Sequence, residues 1–252
     1  MSTQNITDTS TTSLGKLGPD ASSASLSERR SEAKANSLIR LDYKKLLFIF
    51  ALGSIAGLAL EMVYHLVVYG ALQNRFGLVW GPFSPLYGVG ALLFTVVLNP
   101  LTKRSNGTIF FASAVVGTAV EYICSVGMEH FFGAVCWDYS EIILNIDGRI
   151  NLPLTLIWGL LGLAWARLAL PWLKQGFEQV DWKSAGLTVV SVILSVYLVV
   201  NIAVTLQAFD RESERVRNIP AASSVDVFMD EHFSSEWMQT RFENMSIQGT
   251  TK

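Results

Sequence analysis

Five apolar runs dominate this chain, approximately residues 46–72, 84–101, 108–133, 152–173 and 185–207. A bilayer's hydrocarbon core is about 30 Å thick, and a helix crosses it with about 20 mostly apolar residues. Each run meets or approaches that length. With 50% hydrophobic and 16% charged residues and a mean hydropathy of +0.36, the chain is too apolar for an ordinary soluble domain. The first run starts too late and is too long to be a cleaved signal peptide. The expected fold is all-α: a polytopic membrane helical bundle of about five transmembrane helices.

Lys and Arg mark the cytoplasmic side of such bundles. Arg29, Arg30, Lys34, Arg40, Lys44 and Lys45 precede the first run. Lys103 and Arg104 join the second to the third, and Lys174 and Lys183 join the fourth to the fifth. The remaining two connections hold only Arg75 and Arg149. This places the N-terminus in the cytoplasm and, after five crossings, the C-terminus outside. Arg211, Arg215 and Arg217, directly after the last run, pull mildly the other way.

Three regions follow. Residues 1–43 form a Ser/Thr-rich leader, with thirteen Ser or Thr before Lys34, that cannot bury enough apolar surface to fold. Residues 44–207 form the transmembrane domain. Residues 208–252 form a soluble extension, in which Phe228, Trp237, Met238 and Phe242 fall at spacings expected of a short amphipathic helix.

The membrane domain repeats itself. "GLALE" (57–61) matches "GTAVE" (117–121), and "RFGLVW" ending at Trp80 matches "FFGAVCW" ending at Trp137. Tyr87-Gly88 then matches Trp158-Gly159. Runs one–two and three–four thus read as two tandem helical hairpins, parallel repeats about an axis along the membrane normal, with the fifth helix added. In the first, Gly53, Gly57, Glu61 and His65 are each four apart; in the third, Ser113, Gly117, Glu121, Ser125 and Glu129 do the same. Such spacing lines them along one helix face. Small residues there permit close helix approach, so the carboxylates face protein or a water-filled cavity rather than lipid.

Carboxylates inside a span cost several kcal/mol and mark function by default. Candidate substrate- or proton-binding residues are Glu61, His65, Glu121, Glu129, His130, Asp138 and Arg149. Trp80, Gly81, Pro82, Tyr87, Gly88, Trp137, Tyr139, Asn145 and Trp158 form the expected aromatic rim and structural motif of a cavity open to the outside. Structural readings stand beside these. The glutamates suit a hydrogen bond across the pseudo-twofold axis, Asp138 and Arg149 suit an ion pair closing the outer loop, and the tryptophans suit an interfacial belt. "WGPFSP" (80–85) is too rich in Pro and Gly for a clean helix start, and backbone of that kind enters a membrane only if buried in protein. Arg167 reads as a snorkelling anchor. Cys124 and Cys136 carry no metal-binding or redox spacing. No P-loop and no G-x-S-x-G elbow is present. The expectation is a non-enzyme with no metal, cofactor or nucleic-acid partner.

The ordered set "WGPFSPLYGVGALL" (80–93), "EYICSVGMEHFFGAVCWDYS" (121–140), "NIDGRINLP" (145–153) and "IWGLLGL" (157–163) resembles the bacterial membrane protein family labelled putative ABC-transporter type IV. The tail segments "IPAASSVDVFMDEHF" and "FENM" resemble that family's ending. The resemblance implies a multi-pass protein of the bacterial cell membrane, a permease-like component of a transporter, with the bilayer, a separate ATPase subunit and a second copy of the chain as the partners to consider. It names no substrate. The cytoplasmic connections are short for docking an ATPase, against the ~800 Å² per partner of a standard interface. Two other readings therefore stay open: a membrane-embedded enzyme acting on a lipid or lipid-linked substrate, and a structural or regulatory membrane partner.

Overall fold

In a computed structural model, residues 38–247 are described. The leader expected over 1–43 lies, up to residue 37, outside the described residues, as do residues 248–252. The elements are α1 (Tyr43–Tyr69), α2 (Pro85–Leu98, extended by a 3-10 turn Asn99–Leu101), α3 (Asn106–Phe132), β1 (Ala134–Val135), β2 (Asn145–Ile146), β3 (Ile150–Asn151), α4 (Leu152–Ala164), a π-helical turn (Trp165–Ala169), α5 (Leu170–Gln179), α6 (Ala185–Val216), α7 (Ser224–His232), α8 (Ser235–Arg241) and β4 (Ser246–Ile247). The fold is an all-α helical bundle with four helices long and apolar enough to cross a membrane: Tyr43–Tyr69, Asn106–Phe132, Leu152–Gln179 and Ala185–Val216.

The second expected span is shorter than the others. Pro85–Leu101 is an apolar helix that rises only about 25 Å. Its N-terminal end is preceded by an irregular segment in which Leu78, Val79, Phe83 and Ser84 are buried. That segment lies along the apolar part of α6. Thr205 accepts the Val79 N–H at 3.0 Å, and Asn201 accepts from Trp80 N (3.2 Å) and donates to its carbonyl (2.8 Å). Phe83 packs on Tyr197 and Leu198. Non-helical backbone beside an apolar helix is thus satisfied by polar side chains of that helix, the condition for burying it.

Helix ends follow local chemistry. Asp42, Ser105, Asn151 and Ser184 cap their helices by accepting backbone N–H groups. Gly70 and Gly133 close α1 and α3 in the left-handed region, so the first span ends three residues before its expected limit. The π-helical turn stands directly before Pro171, whose ring cannot donate to the ladder. Arg167 within it is not a free anchor: it donates to Asn106 Oδ1 and to the Thr102 and Arg104 carbonyls, clamping the short α2–α3 connection.

The hairpin repeat is built from glycines facing bulk. In the first hairpin a Cβ on Gly53 would lie 2.3 Å from Ala91 Cβ, one on Gly57 2.3 Å from the Tyr87 ring, and one on Gly88 2.7 Å from Phe50. In the second, Ser113 faces Gly162, Gly117 faces the Trp158 ring at 2.5 Å, and Phe110 faces Gly159 at 2.6 Å. The three contacts recur pair for pair, with small and large partners exchanged in the first.

The last helix runs nine residues beyond the expected span end at 207. There it carries an ionic network that gathers the C-terminal residues. Buried Arg211 forks onto both oxygens of Asp230 at 2.9 Å and reaches Glu214 at 2.8 Å. Arg215 bonds Asp230, Glu212 and the Phe233 carbonyl. Where one amphipathic helix was expected there are two, α7 and α8, broken at Ser234, which caps α8. Phe233, Met238 and Phe242 pack on Ala208 and Phe209 of α6. The chain then crosses to pair β4 with β1.

Two outcomes follow from this packing. Gly117→Ala drives a Cβ into the Trp158 ring and is expected to destabilise the purified protein by about 1–3 kcal/mol, read as a lowered Tm in detergent. The two arginines hold the Asp230 carboxyl at about 2, against an ordinary 3.8, chiefly through the Arg211 hydrogen bonds. A lowered folded pKa contributes stability above the ordinary value, lost as pH falls through the folded one. Protease cleavage of the C-terminal helices is therefore expected to rise between about pH 4 and pH 2, and Asp230→Asn should remove that step.

Candidate functional site

The carboxylates of the two hairpins meet at one cavity. Glu61 comes from α1 and Glu121 from α3, each one turn beyond the glycine that admits the neighbouring ring. Tyr87 and Glu61 line the same wall, and Trp158 Nε1 donates to Glu121 Oε2 at 2.9 Å. Glu121, 5% exposed, also accepts the Tyr139 hydroxyl at 3.2 Å. Glu61 is paired with Arg75 at 3.5 Å.

The cavity encloses about 640 Å³, within the range of small-molecule sites. Its wall includes Glu61, Tyr64, His65, Arg75, Tyr87, Glu121, Trp137, Asp138, Tyr139, Asn151 and Trp158, with Asn244 and Met245 contributed by the C-terminal residues. His65 is fixed by an Nδ1 contact to the Ala71 carbonyl and by its ring against Tyr69. The Asp138 carboxylate accepts the Ser140 N–H at 2.9 Å, which holds it below the usual carboxylate range. Burial, reinforced by Glu121, pushes the Tyr139 hydroxyl well above its usual range, so it is a donor throughout the physiological range.

Other expected site residues lie elsewhere. Arg149 does not pair with Asp138: it binds Glu129 and donates to Ser125 at 3.0 Å. The reason is the turn Ile146–Arg149, whose central Asp147 and Gly148 both sit at positive φ. The turn directs Arg149 back onto α3. Its backbone also positions the loop, since the Gly148 carbonyl accepts Tyr139 N and the Arg149 carbonyl accepts Trp137 Nε1. Asn145 holds the Ser140 and Ile142 carbonyls. Glu129, Arg149 and Asn145 are thus scaffolding for the cavity wall rather than part of it. His130 is exposed at the end of α3, beside Phe131. Gly88 belongs to helix packing. Trp80, Gly81 and Pro82 belong to the irregular segment, where Arg241 donates to the Leu78 and Gly81 carbonyls and lies over the Phe76 ring.

Arg75 and Asn151 were not singled out in the sequence as cavity residues. Arg75 reads in the sequence only as a sparse loop charge, and Asn151 only as part of the segment "NIDGRINLP". Arg75 Nε, Asn151 Nδ2 and Asn244 Oδ1 are buried without a protein partner. Among the described residues no group of three or more His, Cys, Asp or Glu comes together to hold a metal.

A family model described as Putative ABC-transporter type IV matches residues 48–206, well over half of the chain. The chain belongs to that family. No curated protein and no solved structure matches it. The family span contains both hairpins, both glutamates and the loop from Trp137 to Arg149, but ends within α6. The C-terminal helices that complete the cavity with Asn244 and Met245 lie beyond it. As a member of a putative ABC-transporter family with four membrane-length helices, this is a membrane protein.

Arg149→Ala is expected to leave Glu129 without its cation and to loosen the 134–151 connection. It should raise protease cleavage between residues 138 and 149 while cleavage elsewhere is unchanged. Equal protection of that loop in wild type and variant would show that the arginine does not hold it.

Proposed function

We propose that the chain is the membrane component of a transporter of the bacterial plasma membrane, and that the cavity around Glu61 and Glu121 takes its substrate from the extracytoplasmic side. The supporting observation is the paired construction of that cavity: two hairpins, each bringing one carboxylate and the equivalent aromatic ring to its wall. A structural carboxylate needs no 640 Å³ space beside it, whereas a binding carboxylate does.

The orientation has the N-terminus in the cytoplasm. Lys44, Lys103, Arg104, Arg167, Lys174 and Lys183 gather at the end of the bundle opposite the cavity, in agreement with the positive-inside rule. Of the arginines after the last span, Arg211 and Arg215 are matched within the chain by Glu212, Glu214 and Asp230, and Arg217 donates to the Ser213 carbonyl. Residues 1–43 are then a cytoplasmic leader, 44–207 the membrane domain and 208–252 an extracytoplasmic extension capping the cavity. The cytoplasmic surface open to an ATPase subunit is larger than the loop lengths suggest. α5 continues the fourth span to Gln179 and turns what was counted as connection into helix. The chain itself carries no ATP-hydrolysing motif and acts here as a permease rather than an enzyme. A homo-oligomer is compatible with its small size.

In a mild-detergent purification from the native host, the chain should bring a P-loop ATPase in stoichiometric amount. Glu121→Gln should retain both that association and its level in the membrane. Its ability to restore a strain lacking the chain should fall roughly tenfold or more, the scale of one hydrogen bond to a charged group. Full restoration would remove the carboxylate from the mechanism, and purification without an ATPase would remove the permease assignment.

A further inference from the structure

A second cavity, of about 660 Å³, adjoins the first. It shares Glu61, Tyr64, Tyr87, Leu154, Ile157, Trp158 and Leu161 with it, so the two meet at Glu61 and at the Trp158 ring that bonds Glu121. From there it runs between the hairpins as an almost wholly apolar groove, past Gly90 and Phe94 to Trp165, Leu168 and Trp172. Leu154 and Trp172 are 18 residues apart along one continuous helix, a rise of about 27 Å. The groove exists because Gly53, Ala56, Gly90, Ala91, Ala164 and Ala169 supply little side chain. Its outer edge is open, with Leu60 61%, Leu168 71% and Trp172 72% exposed. In a membrane that edge faces hydrocarbon.

The polar end has the opposite character. Among the described residues Glu121 has two partners, the neutral donors Trp158 Nε1 and Tyr139 hydroxyl, and no cation. Glu61 has Arg75 alone, and Asp138 lines the same wall. Three carboxylates against one guanidinium leave an excess of negative charge. Tyr64, Tyr69, Tyr87, Trp137 and Trp158 line the same cavity, and aromatic rings favour a cation. No third ligand is placed for a metal ion. An ammonium suits this end, and a long apolar chain suits the other.

We propose that the substrate is an amphiphile whose head carries an ammonium, seated beside Glu121, and whose hydrocarbon chain lies in the groove between the hairpins. The inference rests on the transport reading of the cavity and adds the substrate's chemical class. The shared chemistry has two sources, a free long-chain amine or an aminophospholipid drawn sideways from the bilayer.

Native mass spectrometry of the purified full chain, released from a non-ionic detergent, separates these cases with four probes: dodecylamine, ethylamine, dodecanoate and phosphatidylethanolamine. Dodecylamine or phosphatidylethanolamine should be retained at least roughly tenfold better than dodecanoate or ethylamine, and whichever is preferred names the source. Glu121→Gln should abolish the preference of amine over carboxylate. Ala56→Leu with Ala164→Leu, at two exposed positions that line the groove, should abolish the preference for the long chain and leave the head preference intact. Equal retention of dodecylamine and dodecanoate by wild type overturns the head assignment. An unchanged chain-length preference in the double variant, or a changed oligomeric state in its place, overturns the groove assignment and makes the groove a contact between copies. If Glu121→Gln fails to restore the deletion strain while no amphiphile is retained, the transport reading stands and this inference falls.

Discussion

The contact on which this molecule depends is the seating of an aromatic ring against a glycine, made once in each hairpin. Gly57 admits Tyr87 and Gly117 admits Trp158, with ring atoms where a Cβ would stand. In a membrane, helices do not gain by hiding apolar surface from water, so association rests on close packing and on polar contacts between helices. The glycine supplies both. It brings the backbones together, and it sets the ring beside the carboxylate one turn later. The Trp158 N–H reaches Glu121 for that reason, and Tyr87 stands with Glu61 in the same cavity wall. Helix packing and site geometry are therefore one arrangement, and neither changes without the other.

The same logic explains where polar side chains sit in the rest of the bundle. Asn201 and Thr205 of α6 are buried within an apolar helix, and both bond the backbone of Val79 and Trp80. Asn99 does the same for Ile39, accepting its N–H and donating to its carbonyl at 3.0 Å each. Each polar residue answers a backbone group that has left regular structure. Ser113, Thr95 and Ser191 instead return their hydroxyls to their own helices. The glutamates stand apart from this pattern, since no backbone donor accounts for them and open space lies beside them.

Much of this was legible in the chain because hydropathy and four-residue spacing are local properties. "GLALE" and "GTAVE" locate the packing faces, and the repeat places Tyr87 and Trp158 in equivalent positions before any coordinates are known. What the sequence hid was pairing over distance. Arg149 lies eleven residues from Asp138 and twenty from Glu129, and only the turn at Asp147-Gly148 decides between them. Arg75 reads as a loop charge until Gly70 ends α1 and the chain folds back over Glu61. The partners of the segment before the second helix were hidden for a related reason. "WGPFSP" marks the break and the helix starts at Pro85, but only the coordinates reveal that Asn201 and Thr205 of α6 receive the irregular backbone before it.

The C-terminal helices illustrate how charge acts at the edge of such a bundle. Arg211 and Glu212, each 3% exposed, would be costly alone at the end of an apolar helix. They are held by Asp230, Glu214, Arg215 and Ser235, partners delivered by α6 itself and by α7 and α8. Undocking α7 and α8 would take Asp230 from Arg211 and Ser235 from Glu212, so the network favours a single docked arrangement over a loosely tethered tail. That arrangement puts Arg241 on the irregular segment, Glu243 on Asn74, and Asn244 and Met245 in the cavity wall. The family span stops before these residues, yet the cavity is closed by them. The charge network is thus what couples the end of the chain to the mouth of the site. On the proposed reading, a substrate entering past those residues would have to displace polar contacts there, whereas one entering along the apolar groove would meet almost only apolar side chains until it reached Glu61.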